Sequence, residues 1–169
     1  MSIVAPSQFI GQVAIAQTEQ ANVAAQVQAF INKYEPEYLR KVLGFTISEA
    51  FVAGLAANPI ESKWLLLRSG SPYTDLYGNS QSYGGIVTGI LDYVYYWYIR
   101  DQVTMTTGSG EKVSEKGLAV SSLDKQARAW NEAMTIARSC NAYLYANSAA
   151  YGYSAPVGNP FKPINTLGL

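Results

Sequence analysis

Side chains able to do chemistry are scarce in this chain, and their spacing argues against catalysis. There is no histidine, which removes Ser-His-Asp and Cys-His nucleophilic systems, imidazole-based zinc sites and the commonest general base near neutral pH. The single cysteine, Cys140, excludes an internal disulfide and a thiolate cluster, and it falls on an apolar helical stripe where a small buried role is expected. Carboxylate chemistry is left, with Glu35 and Glu37, Asp92 and Asp101, or Glu111 and Glu115 as the candidate pairs. Glu35 and Glu37 flank Pro36 at an expected helix start, where acids favour the helix dipole. Glu111 and Glu115 alternate with Lys112 and Lys116 as an ordinary solvated charge cluster. Asp92 stands out because it interrupts an apolar helix. A buried acid is costly alone, so a tyrosine hydroxyl, a backbone amide or a basic side chain is expected to meet it.

Phosphate-binding signals are weak. Gly108-Ser-Gly110 is too short for a phosphate loop, and no strand is expected to lead into Gly84-Gly85. No catalytic residue, cofactor or metal ligand is therefore expected. Charged residues make up 14% of the chain, against roughly 25% in a typical soluble domain. Thirteen tyrosines partly replace them. Such a surface suits one that is covered on assembly, although a compositional habit explains it equally well. The formal net charge is zero and no basic cluster is present, so nucleic-acid binding is not expected as the main task. Residues 1–16 lack a basic segment and are interrupted by Pro6 and Gly11, so no signal peptide is expected. The run Ile86–Ile99 is too short for a bilayer and carries Asp92, so a soluble chain is expected.

The elements that would position these residues are mostly helical. An extended N-terminal arm occupies 1–17, a helical domain 18–146 and an extended C-terminal tail 147–169. Within the domain, Thr18 caps a helix carrying Val23, Val27, Phe30, Ile31 and Tyr34 on one stripe. Pro36 ends that run and opens a second short helix, closed by Gly44 in the left-handed region. Thr46-Ile-Ser-Glu49 has capping-box spacing, and Asn58-Pro59 opens another short helix through Trp64 and Leu67. From Arg68 to Gly85 the composition predicts a long loop. A central helix follows over about 86–105, apolar around most of its circumference, with tyrosine tips free to face a subunit interface. The polar segment Thr106–Leu118 is a connector, as a protruding loop or β-hairpin. A last helix then runs from Ser121 or Ser122 to about Tyr145, with Arg128 and Glu132 largely off its apolar stripe. The fold class is thus a helical bundle of short N-terminal helices plus two long antiparallel helices. The tail, after Ala146, carries more apolar anchors than a solvated segment should: Tyr151, Tyr153, Phe161, Ile164 and Leu167. These dock on a partner or pack back on their own domain, and the balance favours the partner.

Three segments carry a resemblance. Phe30-Ile-Asn-Lys-Tyr-Glu-Pro-Glu-Tyr-Leu-Arg-Lys-Val-Leu-Gly44, Asp92-Tyr-Val-Tyr-Tyr-Trp-Tyr-Ile-Arg-Asp-Gln102, and the polar loop from Thr104 leading to Ala129-Trp-Asn-Glu-Ala-Met134 resemble, in this order, the small helical head-to-tail connector (adaptor) proteins of tailed phages, of the Bacteroidota and crAss-like type. The resemblance implies a non-enzymatic virion protein of the neck, assembled in the host cytoplasm. It further implies a ring of about twelve copies, whose heterologous interfaces close on themselves, with the portal and the tail or neck proteins as partners. DNA would be met only by passage through the channel, and no membrane would be involved. The loop residues Thr106, Thr107, Glu111, Lys112, Glu115 and Lys116 would then line the channel or meet the next ring, and the tail anchors would grip the portal or an adjoining subunit. Two other readings stand beside it. One is a different virion component, such as a tail-completion or minor capsid protein. The other is a small carboxylate-based enzyme or a ligand-binding domain, which a polar-lined pocket at Asp92 or Asp75 would favour.

Overall fold

The computed structural model describes residues 2–107, 110–113, 122–153, 162 and 164. Two 3-10 turns, Pro6–Gln8 and Gly11–Val13, lead into α1 (Ala21–Ala56) and α2 (Ser62–Ser69). A hairpin of β1 (Ser71–Thr74) and β2 (Ser80–Tyr83) precedes α3 (Ile86–Val103). A second hairpin of β3 (Thr104–Thr107) and β4 (Gly110–Val113) leads to α4 (Ser122–Ala146) and the single turn α5 (Ser148–Tyr151). The fold is mostly helical, as the periodicity predicts.

Helices α3 and α4 run antiparallel: Gly89 lies against Ile136, whereas Tyr93 and Tyr96, further along α3, lie against Trp130, so rising numbers on one side face falling numbers on the other. The central position expected for α3 follows from its all-round apolar surface. Ile86, Ile90, Tyr93, Val94, Tyr95 and Tyr96 are all buried, against α1 on one side and α4 on the other. Tyr34 of α1 stacks on Trp97 with centroids 4.8 Å apart and planes 1° from parallel, a contact worth about 0.5–1.5 kcal/mol beyond the area it covers. Tyr38 passes the α1–α3 seam to donate its hydroxyl to the Ala133 carbonyl of α4 at 2.8 Å.

Nine tyrosines (34, 38, 83, 93, 95, 96, 143, 151 and 153) are buried in the chain's own core. Several of their hydroxyls bond internally, Tyr83 to the Leu67 carbonyl and Tyr93 to Glu37 among them. The tyrosine content is therefore chiefly a property of the core rather than of a free surface.

The first half differs from the expectation of short helices. Helix α1 continues through Pro36, which lies inside it. An interior proline costs about 3 kcal/mol, and here Tyr34, Glu35, Tyr38 and Leu39 around it are all buried, which outweighs that cost. The break comes instead at Gly44, with φ 75° and ψ 168°, so that α1 is two helical segments joined at a kink. That conformation is open essentially to glycine alone, in keeping with the left-handed residue expected at this position. The helix begins at Ala21 rather than just after Thr18, and α2 begins at Ser62, three residues beyond Pro59.

The N-terminal arm is not simply extended. It folds into its two turns and buries Ile3, Val4, Phe9 and Ile15 on the helices. Glu35 holds it: the carboxylate accepts the N–H groups of Ile3 and Val4 at 3.0 Å and the Ser2 hydroxyl at 3.3 Å. Segment 68–85, expected as a loop, is the first hairpin, in register Ser71 with Tyr83 to Thr74 with Ser80.

Candidate functional site

Among the described residues, two places that combine exposure with built geometry stand out. The first is the tip of the β1–β2 hairpin. Asp75 organises it: Oδ1 accepts the N–H groups of Tyr77 and Asn79 at 2.9 Å, while Oδ2 accepts the side-chain amides of Asn79 and Gln81 at 3.2 Å. The Asn79 N–H, foremost among these donors, holds the carboxyl below the usual aspartate range. On this locked turn Leu76 is 63% and Tyr77 90% exposed. The hairpin's base is fastened by Tyr83, which stacks on Tyr143 with centroids 4.7 Å apart and donates to the Leu67 carbonyl at 3.0 Å. Gly70 and Gly85 close this neck. Their φ angles are 92° and 88°, and a Cβ on either would meet the other's backbone. Between the tip and the end of α4 lies a recess of about 350 Å³, walled by Tyr73, Leu76, Tyr77 and Tyr145.

The second place is a groove of about 540 Å³ between the N-terminal turns, α3 and α4. Ile10, Val13 and Leu91 give it apolar walls, and Asp92 and Glu132 supply carboxylates. Asp92 is 8% exposed. Contrary to the expectation of a satisfied pair, its carboxyl has no hydrogen bond and no ion pair among the described residues. Burial, with the neighbouring Glu132 charge adding to it and Arg128 opposing it, pushes the Asp92 carboxyl up to about 7. Arg128 itself reaches across to the Gln12 carbonyl at 3.0 Å and so ties the arm to α4. Periodicity singled out Asp92 but placed Arg128 and Glu132 away from the core. Their approach to Asp92 depends on the register of α4 against α3, which no local pattern encodes.

The other acid pairs do not form sites. Glu35 and Glu37 lie within α1 rather than at a helix start, and they face different partners. Burial raises the Glu35 carboxyl, against the opposing pull of the Ile3 and Val4 N–H groups. Glu37 pairs with Lys41 at 2.6 Å and accepts the Tyr93 hydroxyl at 2.8 Å. Cys140 is fully buried, with its thiol pushed up to about 12 by burial, the inert state of a packing residue. Among the described residues no group of three or more histidine, cysteine, aspartate or glutamate side chains could hold a metal ion, and no helix is long and apolar enough to cross a membrane.

Of the expected contact residues, Thr106 and Thr107 lie on β3 and Glu111 and Lys112 on β4, with Thr106 opposite Glu111. Glu115, Lys116, Phe161 and Leu167 lie outside the described residues. Tyr151 and Tyr153 belong to the chain's own core rather than to a free surface. Tyr151 donates to the Lys63 carbonyl at 2.7 Å, and Tyr153 to Asn141 at 3.4 Å. The tail also returns to α4 further on. The Asn131 side chain brackets Ile164, accepting its N–H at 2.9 Å and donating to its carbonyl at 3.0 Å, and the Trp130 indole donates to the Lys162 carbonyl at 2.7 Å. At these points the tail packs back on its own domain, and Ile164 is still 37% exposed. Compared with known proteins, the chain matches no family model, no curated protein and no solved structure.

Proposed function

We propose that this chain is a structural subunit that assembles with copies of itself, and that it serves as a head-to-tail connector (adaptor) in the neck of a tailed phage. The observation that carries the assembly reading is the Leu76–Tyr77 tip. Two large side chains are held in water on a turn that four hydrogen bonds to one carboxylate have already ordered. Ordering before contact lowers the entropic cost of docking, and tyrosine is among the residues that most often anchor an interface. The occupant proposed for the adjoining surface is a neighbouring copy, in head-to-tail contact of the kind that closes into a ring. The three segments quoted above support the connector assignment, with the portal and neck proteins as further partners and the virion as location. No catalytic residue enters this reading.

The test is native mass spectrometry of the purified chain, alone and mixed with its candidate portal. A discrete ring, or a defined complex with the portal, is the expected result. A chain that stays monomeric at high concentration and ignores the portal would overturn it, and another virion position would follow only if a different virion protein captured the chain. The groove at Asp92 favours a second reading, a ligand-binding domain, because a buried carboxyl without a partner among the described residues faces an open space there. Carboxylate-based catalysis by Asp92 and Glu132 is the weakest form of that reading, since among the described residues no side-chain hydrogen bond positions Asp92.

A further inference from the structure

The groove holds something the assembly reading does not use. Asp92 sits on its floor, 8% exposed and without a hydrogen bond or ion pair among the described residues, while Glu132 stands exposed at its rim. An ionised carboxyl taken that far out of water is costly unless a donor or a cation meets it. We propose that the groove takes the side chain of a lysine presented by a partner protein, its ammonium lodged between Asp92 and Glu132 and its stem along Ile10, Val13 and Leu91.

Chemistry selects this occupant. With Arg128 at the same end, the three ionised groups would carry one net negative charge, which a single ammonium balances. Two carboxylates approaching from different helices suit a compact ammonium with three rotatable donors. A guanidinium fork prefers both oxygens of one carboxylate in its own plane. Two acids without a third ligand make a poor metal site. A free diamine would leave its second ammonium against Ile10, Val13 and Leu91, where no acid waits among the described residues. The aliphatic stem of a lysine is the part that such walls favour.

The inference rests on the chain's having a protein partner, as proposed above, but its test does not require the assembly to form. The full chain is titrated by NMR and calorimetry with the peptide acetyl-Gly-Leu-Lys-Leu-Gly-amide, with the same peptide carrying norleucine for lysine, and with cadaverine. The lysine peptide is expected to bind saturably, shifting resonances of Ile10, Leu91 and Asp92. The norleucine peptide should bind about tenfold more weakly or worse, and Asp92→Asn should cost the lysine peptide a similar factor. Equal binding of the two peptides by the natural chain would overturn the proposal, as would no saturable binding at millimolar peptide or tighter binding of cadaverine than of the lysine peptide. Because the peptide comparison needs no variant, it holds even if Asp92→Asn misfolds. Native mass spectra of the same samples separate the two readings. A chain that forms rings yet ignores the peptide loses this inference alone, and a monomer that binds the peptide keeps it.

Discussion

At the scale of single residues, the acids divide by what meets them. Glu35 is as buried as Asp92, yet two backbone N–H groups and a hydroxyl face its carboxylate, whereas Asp92 faces open groove. The consequence for Asp92 is a pH dependence of stability. Its carboxyl titrates near 3.8 when solvated and at about 7 in the fold. Between those values the folded chain holds a proton that the unfolded chain has released, so the contribution is greatest below about 4 and is lost as pH rises to about 7. The whole swing is on the order of 4 kcal/mol. Glu132 and Arg128 are the charged groups of α4 that act on it. Asp92→Asn cannot ionise, so denaturant midpoints should show the variant gaining on the natural chain from pH 4.5 to pH 8. A difference that stays constant across that range would mean Asp92 is not held out of water. Asp92 was legible in the sequence as an acid in an apolar run. Its lack of a partner among the described residues was not, because that depends on side chains from the N-terminal turns and from α4, far away along the chain.

At the scale of elements, legibility followed the strength of the apolar period. Helices α3 and α4 were readable because Ile86, Ile90 and Val94, and Ala127, Met134, Ala137, Cys140 and Leu144, recur at helical spacing and are all buried. The hairpin β1–β2 was not. Ser-Pro-Tyr-Thr and Ser-Gln-Ser-Tyr have no apolar alternation, and the pair is held by the Asp75 turn and by Tyr83 resting on Tyr143, a contact distant in sequence. Pro36 misled for a similar reason, since local propensity gave way to burial on both sides of it. Gly44 was the true break, and replacing it with alanine should cost about 1–3 kcal/mol. Thermal unfolding should read that loss with far-UV helicity unchanged; an unaltered midpoint would place the kink elsewhere. At Ile164 the tail is held by the Asn131 side chain. Asn131→Ala removes both bonds to Ile164, so hydrogen exchange at the Ile164 amide should speed up while that of Ala137, inside α4, stays as it was. Equal exchange in both proteins would detach Ile164 from Asn131.

At the scale of the whole molecule, the balance of covered and uncovered apolar surface bears on assembly. Most tyrosines are spent inside, so low charge and tyrosine richness do not by themselves mark an interface. Several large apolar side chains are left outside, Ile10, Phe45 and Leu123 among them, but Leu76 and Tyr77 stand together on the locked tip, with Tyr145 across the recess at 41% exposed. If a neighbouring copy covers this surface, Leu76→Ser with Tyr77→Ser should lower the association constant of the chain by at least about tenfold, since truncated anchors commonly cost 2 kcal/mol or more. The same pair should leave thermal stability of the monomer within about 0.5 kcal/mol, because neither side chain is buried in it. Asp75→Ala offers a different perturbation, as it keeps both anchors but releases the turn. It should weaken association through lost ordering, by less than the double serine replacement does. Sedimentation velocity across a concentration series reads all three proteins. Equal association in the natural chain and the double variant would remove the tip from the interface. A loss confined to Asp75→Ala would make the shape of the turn, rather than the two side chains it displays, the recognised feature.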